Sequence, residues 1–266
     1  MRQKPFLTYF AICAVPLLLL AALNYWNGIR SVDATANTIV QDDLQAFTAG
    51  INQMLDEQGN AVLTLAVAPD KQQAAVNLAP GYFKNVTIYD RNHQPIQSTL
   101  GPPPTIPDDR VWTTQGNVLL ERIIQDGSNK TAFEFSVPIH NQSGLGNEGA
   151  VVAIVDLQRL FATPARLLKT SSASSAAGVS IVVRDNSGNV IYQSDSPAAE
   201  TSGATASAPM PRLNANIAVT RNTAEFVSSA HRWGFAGIVF ALLLALPAAY
   251  LLNRHLQKHT RGLAHI

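Results

Sequence analysis

NVTIYD at residues 85–90, RNHQ at 91–94 and PIQST at 95–99 read together as a β-hairpin. The first run alternates and is rich in β-branched residues, the second carries turn chemistry, and the third returns as the partner strand. Ninety-three residues further on the pattern begins again. Val179 opens VSIVVRDN and Val190 opens VIYQS, so Val86 aligns with Val179 and both hairpins reach a Ser. Each unit also ends in a strand that leads into a helix, VVAIVDLQRLF at 151–161 and NIAVTRNTAEF at 216–226. Self-similarity at this spacing means two related antiparallel lobes rather than a solenoid.

The first unit is the fuller one. Val118–Ile124, Thr131–His140 and Gly149–Leu157 are further strand candidates, with NQSGLGNE at 141–148 as a hairpin connection. Leu157–Lys169 reads as a helix and TSSASSAA at 170–177 as a small-residue linker. GPPPTIP at 101–107 is too proline-rich for regular structure. The second unit lacks the middle strands. Residues 196–211, SPAAETSGATASAPMP, read instead as a flexible low-complexity stretch, which predicts a reduced lobe.

Upstream, Val40, Leu44, Phe47, Ile51 and Met54 recur in steps of four and three. The spacing predicts a helix from about Ser31 to Ala68, stopped by Pro69-Asp70 and bent near Gly59-Asn60. Two uses of its apolar stripe stay open. It packs on the domain's own sheet, or it forms a dimer seam, since 3.5-residue spacing is what a coiled coil needs.

Two runs outside these units contain no charged side chain, Phe6–Trp26 and Trp233–Leu252. At about 1.5 Å per residue each reaches roughly 30 Å, the thickness of a bilayer's hydrocarbon core. Tyr25, Trp26 and Trp233 sit at span ends as an interfacial belt does. The first run is longer than a signal-peptide core and no clear small-residue cleavage site follows it, so it reads as an uncleaved anchor. All 18 acids lie between the runs, together with 14 Lys and Arg, whereas the short outer ends carry bases alone. Basic ends stay on the cytoplasmic side. The expectation is a cytoplasmic N-terminus at 1–5, a first span at 6–26, an exported region at 27–232, a second span at 233–252 and a cytoplasmic juxtamembrane helix at 253–266. The lone cysteine, Cys13, falls in the first span, which leaves the exported region without a disulfide.

Catalytic constellations are missing from the sequence: no phosphate-cradling Gly-rich loop with its Lys, no Gly-x-Ser-x-Gly elbow, no paired carboxylates at fixed spacing. His255 and His259 have metal-capable spacing, but no Cys or carboxylate is near them. Neither a cofactor nor a metal is expected. A mildly acidic exported region has no electrostatic footprint for nucleic acid.

Long helix, repeated hairpin and two flanking spans together resemble the Cache family of extracytoplasmic sensors, in the double form with PAS-like lobes. FEFSVPIH at 133–140 and GAVVAIVDLQRL at 149–160 are similar to the family's paired last strands, the second ending in Asp. The resemblance spans about residues 30–228 and implies an α+β fold. It places a distal lobe at 30–170 and a reduced membrane-proximal lobe at 178–228, both along the long N-terminal helix. Family members that bind amino acids carry Arg-x-Trp-Tyr and a later Asp in the distal lobe. Arg110 and Trp112 match the first part, Thr113 departs from it, and Asp156 matches the Asp. Read extended, Arg110 and Trp112 share a face. Arg110 is then a fork for a carboxylate, Trp112 a wall and Asp156 a counter-charge for an ammonium, with Tyr89 where the pocket opens. The competing reading pairs Arg110 with Asp108 or Asp109 on the surface. The resemblance implies a homodimeric inner-membrane sensor of a small ligand, an amino acid or another carboxylate, driving an output outside this chain. The alternative is a membrane-anchored assembly protein whose lobes are an interaction surface.

Overall fold

The computed structural model describes residues 4–78, 81–99, 107–125, 131–140, 146–171, 178–194, 203–222 and 224–263. Residues 101–106 of the expected Pro-rich run at 101–107, 141–145 of the connection at 141–148 and 172–177 of the linker at 170–177 lie outside the described residues. Helix α1 runs without a break from Lys4 to Val67, through Gly59, followed by α2 (Lys71–Leu78). The first sheet comprises β1 (Phe83–Asp90), β2 (Pro95–Ser98), β3 (Leu120–Gln125), β4 (Thr131–His140) and β5 (Asn147–Val155). A short helix α3 (Arg110–Thr113) precedes β3, and α4 (Leu157–Ser171) follows β5. The second sheet comprises β6 (Val179–Asp185), β7 (Val190–Gln193), β8 (Gly203–Met210) and β9 (Ala215–Asn222), and α5 (Ala224–Leu263) ends the chain.

The fold is α+β, with two antiparallel sheets ordered β2-β1-β5-β4-β3 and β7-β6-β9-β8. One expectation fails here. Half of the stretch read as flexible low complexity, 203–210, is strand β8. Its small residues have little strand propensity of their own, and pairing on the edge of the second sheet supplies the order.

The chain divides into two compact units, one holding residues 40–200 and 205–221, the other the remainder. In the first unit α1 acts as a spine. Val40, Leu44, Phe47, Ile51, Leu55 and Val62 are all buried. Leu55, not Met54, continues the stripe, because Met54 is only half-buried. Asp43 pairs with Arg221 of β9, Phe47 stacks on Phe161 of α4, and Gly59 lies against Phe135 of β4. At about 1.5 Å per residue these contacts spread along roughly 24 Å of helix. The stripe is thus buried by the chain's own lobes.

Both hairpins use one turn design. Asp90 Oδ1 accepts from the backbone N–H of Asn92 and Gln94, and Asp185 Oδ1 from Ser187 and Asn189, all at 2.8–2.9 Å. His93 and Gly188 hold the left-handed position, at φ 64° and 88°. Beyond the turns, Thr99 Oγ1 accepts from Val86 N and Ser194 Oγ from Ile181 N, both at 3.0 Å. Asp90 therefore corresponds to Asp185 and Val86 to Ile181. The repeat is offset by two residues from the alignment of Val86 with Val179.

These turns set an acid limb to stability. Hydrogen bonds from the Gln94 backbone lower the pKa of Asp90, those from the Asn189 side chain lower that of Asp185, and Arg110 lowers that of Asp108. A carboxyl depressed in the fold binds more protons when unfolded, so its stabilisation is present above about pH 4 and fades as the pH falls through the folded value. Asp43 opposes this, since burial raises its pKa against the pull of Arg221. Melting temperatures between pH 5 and pH 3 should fall less steeply in Asp90→Asn/Asp185→Asn than in wild type.

In the second unit α1 and α5 are each long and apolar enough to cross a membrane. Ile12, Leu19, Leu23, Phe235, Leu243 and Leu251 are exposed, a surface that suits lipid rather than water. Small residues set the packing of the pair. Ala245 and Ala249 are fully buried, and a Cβ on Gly234 would sit 2.0 Å from the Tyr25 ring. The Tyr25 hydroxyl lies 2.5 Å from Nδ1 of His231.

Candidate functional site

Directly paired residues of an antiparallel sheet share a face, and successive residues alternate. Glu121 pairs with Phe135 and Phe135 with Ala153, and Phe135 meets Gly59, so this set faces α1. The opposite face holds Arg122, Glu134, Ser136, Val152, Thr87 and Ser98 by the same pairing. Asn85 and Tyr89 alternate onto it from β1. That inner face is buried yet polar. Asn85, Thr87, Tyr89, Glu134 and Ser136 are all less than a twentieth exposed.

Glu134, with no exposed surface, is met by Arg122 through Nε at 2.8 Å and Nη2 at 2.9 Å, and by the Ser136 hydroxyl at 2.8 Å. Asn85, Thr87 and Ser98 close their own ring of hydrogen bonds, with Thr87 Oγ1 donating to Asn85 Oδ1 at 2.6 Å. Burial, and then the negative charge of Glu134, push the Tyr89 phenol up to about 12. Tyr89 therefore stays a neutral donor over the physiological range. A buried ion pair costs about as much in desolvation as it returns, so stability alone is a weak reason to keep one.

Aromatic side chains continue this face toward the β1–β2 turn. Trp112 meets Tyr89 edge-on with centroids 6.5 Å apart, and His93 stacks on Trp112 at 4.0 Å. Helix α3 is pinned above the sheet by Asn147 Nδ2, which donates to Val111 O at 3.1 Å. The outer face of the second sheet has no such cover at Arg184, Gln193 and Asn216, which are exposed.

Tyr89 and Trp112 are thus brought together. Arg110 is not aligned with Trp112, because residues 110–113 form a helical turn rather than an extended segment. Its guanidinium is largely exposed and grips Asp108 through Nε at 2.9 Å and Nη2 at 2.6 Å, the competing surface reading. Asp156 lies at the other end of the sheet. Tyr89 pairs with Ala150, six residues before Asp156 on β5 and its exit, or about 20 Å of strand. There Asp156 Oδ1 accepts from the backbone N–H of Gln158 and Arg159 at the start of α4. It also lines a separate cavity of about 730 Å³ with Lys84 and Asp185. Arg122, Glu134, Ser136 and His93 are site residues that the sequence reading misses. The available signal is Glu134 inside FEFS, a charge set between Phe133 and Phe135 of a strand. Among the described residues no group of three His, Cys, Asp or Glu side chains is placed to hold a metal.

No family model and no curated protein sequence matches the chain. Solved structures do. An extracellular ligand-binding receptor from Desulfohalobium retbaense is 15% identical over 68% of this chain, with a TM-score of 0.47, and the chain spans 40% of its length. The sensor domain of the Vibrio cholerae histidine kinase DctB is 12% identical over 70% of this chain and 96% of its own, at 0.41. The ligand-binding domain of the Pseudomonas aeruginosa amino-acid chemoreceptor PctB, solved with L-Arg, is 11% identical over 71% and 96%, at 0.42. By their own descriptions these neighbours are an extracellular ligand-binding receptor, a sensor domain and a ligand-binding domain.

Proposed function

We propose that the chain is the sensory part of a transmembrane receptor, with both termini cytoplasmic and residues 27–232 exported. A small solute bearing a carboxylate, alone or with an ammonium group, binds on the inner face of the first sheet. Arg122 takes the carboxylate, Glu134 takes an ammonium, and Trp112 and Tyr89 form the wall. The observation that supports this reading is the Arg122–Glu134 ion pair, with Glu134 fully withdrawn from water and Arg122 partly exposed beside it. A ligand opening that pair exchanges one set of charge-assisted contacts for another, each worth about 1.5–3 kcal/mol. It shifts the receptor only by its difference in affinity between two states. Arg110 and Asp156 stand outside this site.

The full chain in lipid nanodiscs, screened by thermal shift against amino acids and organic acids, should be stabilised by one chemical class. Glu134→Gln should weaken that compound by more than tenfold, whereas Asp156→Asn should leave it unchanged. The reverse ranking places the site at the other end of the sheet. Reporter fusions at residue 130 and at the C-terminus should report opposite sides of the membrane.

A further inference from the structure

Strand β3 carries two charges in succession to two different places. Arg122 faces Glu134 on the inner face, and Glu121 faces the other way. There Arg212 grips both carboxylate oxygens of Glu121, with Nε donating to Oε2 at 2.8 Å and Nη2 to Oε1. Through Nη1, Arg212 also reaches Asp56 of α1 at 2.6 Å. Arg212 belongs to the single turn Pro211–Leu213 that joins β8 to β9 of the second sheet. That turn is stiffly seated. Met210 and Leu213 on either side are buried, and Asn214 closes it in the left-handed conformation at φ 47°. Arg212 is thus shared between α1 and β3, while the second sheet is held to α1 independently by Arg221 and Asp43 at 3.1 Å.

We propose that Arg212 is the positioning residue that transmits movement of β3 to the second sheet, so that rearrangement of the Arg122–Glu134 pair is felt in β8 and β9. The geometry makes this a differential contact. If β3 shifts against α1, Glu121 and Asp56 separate or close, and a guanidinium bonded to both must follow one of them. Its backbone, wedged between buried Met210 and Leu213, moves with it, and β9 leads directly into α5. The inference rests on the inner face being the ligand site, but its test needs no ligand.

Amide hydrogen exchange of residues 203–222 is measured on the full chain in nanodiscs, with Glu134→Gln as the perturbation of the inner face. Coupling along such contacts amounts to about two- to thirtyfold in an equilibrium. Exchange in 203–222 should therefore change by about threefold or more in Glu134→Gln. In an Arg212→Gln background the same substitution should add almost nothing, and in an Arg221→Gln background its effect should persist. Ser136→Ala, which also loosens Glu134, replaces Glu134→Gln if that variant does not fold. An undiminished effect in the Arg212→Gln background, or no effect in wild type, overturns the proposal. Either result leaves the sensory reading standing, which the ligand screen decides separately.

Discussion

Arg122→Met should lower the midpoint of thermal unfolding by roughly 6–12 °C, from a loss of about 3 kcal/mol at about 2–4 °C per kcal/mol. The cause is what the substitution leaves behind. Glu134 has no exposed surface, and the Ser136 hydroxyl is a poor substitute for the two N–H donors that Arg122 supplies. A buried carboxylate that loses a charged partner destabilises the sheet. Removing both charges, as Arg122→Met/Glu134→Leu, should recover most of the lost stability, because an apolar pair of similar volume carries no desolvation cost. Differential scanning fluorimetry on the single and double variants checks this. A double variant no better than the single would show that Arg122 acts through something other than Glu134.

Phe161→Ala should cost about 3–5 kcal/mol, the ordinary range for truncating a fully buried aromatic. Phe161 is where three elements meet. Its ring lies 6.3 Å from that of Phe47 on α1 and 5.5 Å from that of Tyr192 on β7. The cavity therefore opens between the spine, α4 and the second sheet, and not on the inner face of the first. Exchange protection should be lost in β6 and β7, while ligand affinity of the folded fraction stays within about twofold. Leu167→Ala on the same helix is the control, since Leu167 is largely exposed and its truncation should fall within about 0.5 kcal/mol of wild type.

Much of this architecture is legible in the sequence, and the misses have physical causes. The hairpins are visible because β-branched alternation and Asp-containing turns are local signals. Their repeat is placed two residues off because strand side chains alternate with period two. A shift of two keeps every side chain on its proper face, and the Asp90 and Asp185 turns, with Thr99 and Ser194 beyond them, fix the true offset. Strand β8 is hidden because GATASAPM is ordered by its neighbour rather than by its own preference. At four residues α3 is too short to show a helical period, so Arg110 and Trp112 read as extended neighbours. Tyr89 and Trp112 are within reach of the sequence because an aromatic wall needs only residue type. The pairing of Glu134 with Arg122 is not, because the two are 12 residues apart and meet only once β3 and β4 are in register. Asp156 has suitable chemistry, but residue type does not tell which end of a sheet a residue occupies.

The double variant Arg122→Met/Glu134→Leu also permits the most direct test of the central claim, that the polar inner face of the first sheet is the ligand site. Isothermal titration of the compound that best stabilises the wild-type chain, into wild type and into the refolded, exchange-protected double variant, measures the site's charges with the fold intact. Binding in wild type and its loss by more than about a hundredfold in the double variant is the predicted result, since two charge-assisted contacts disappear together. Equal affinity for both proteins would contradict it.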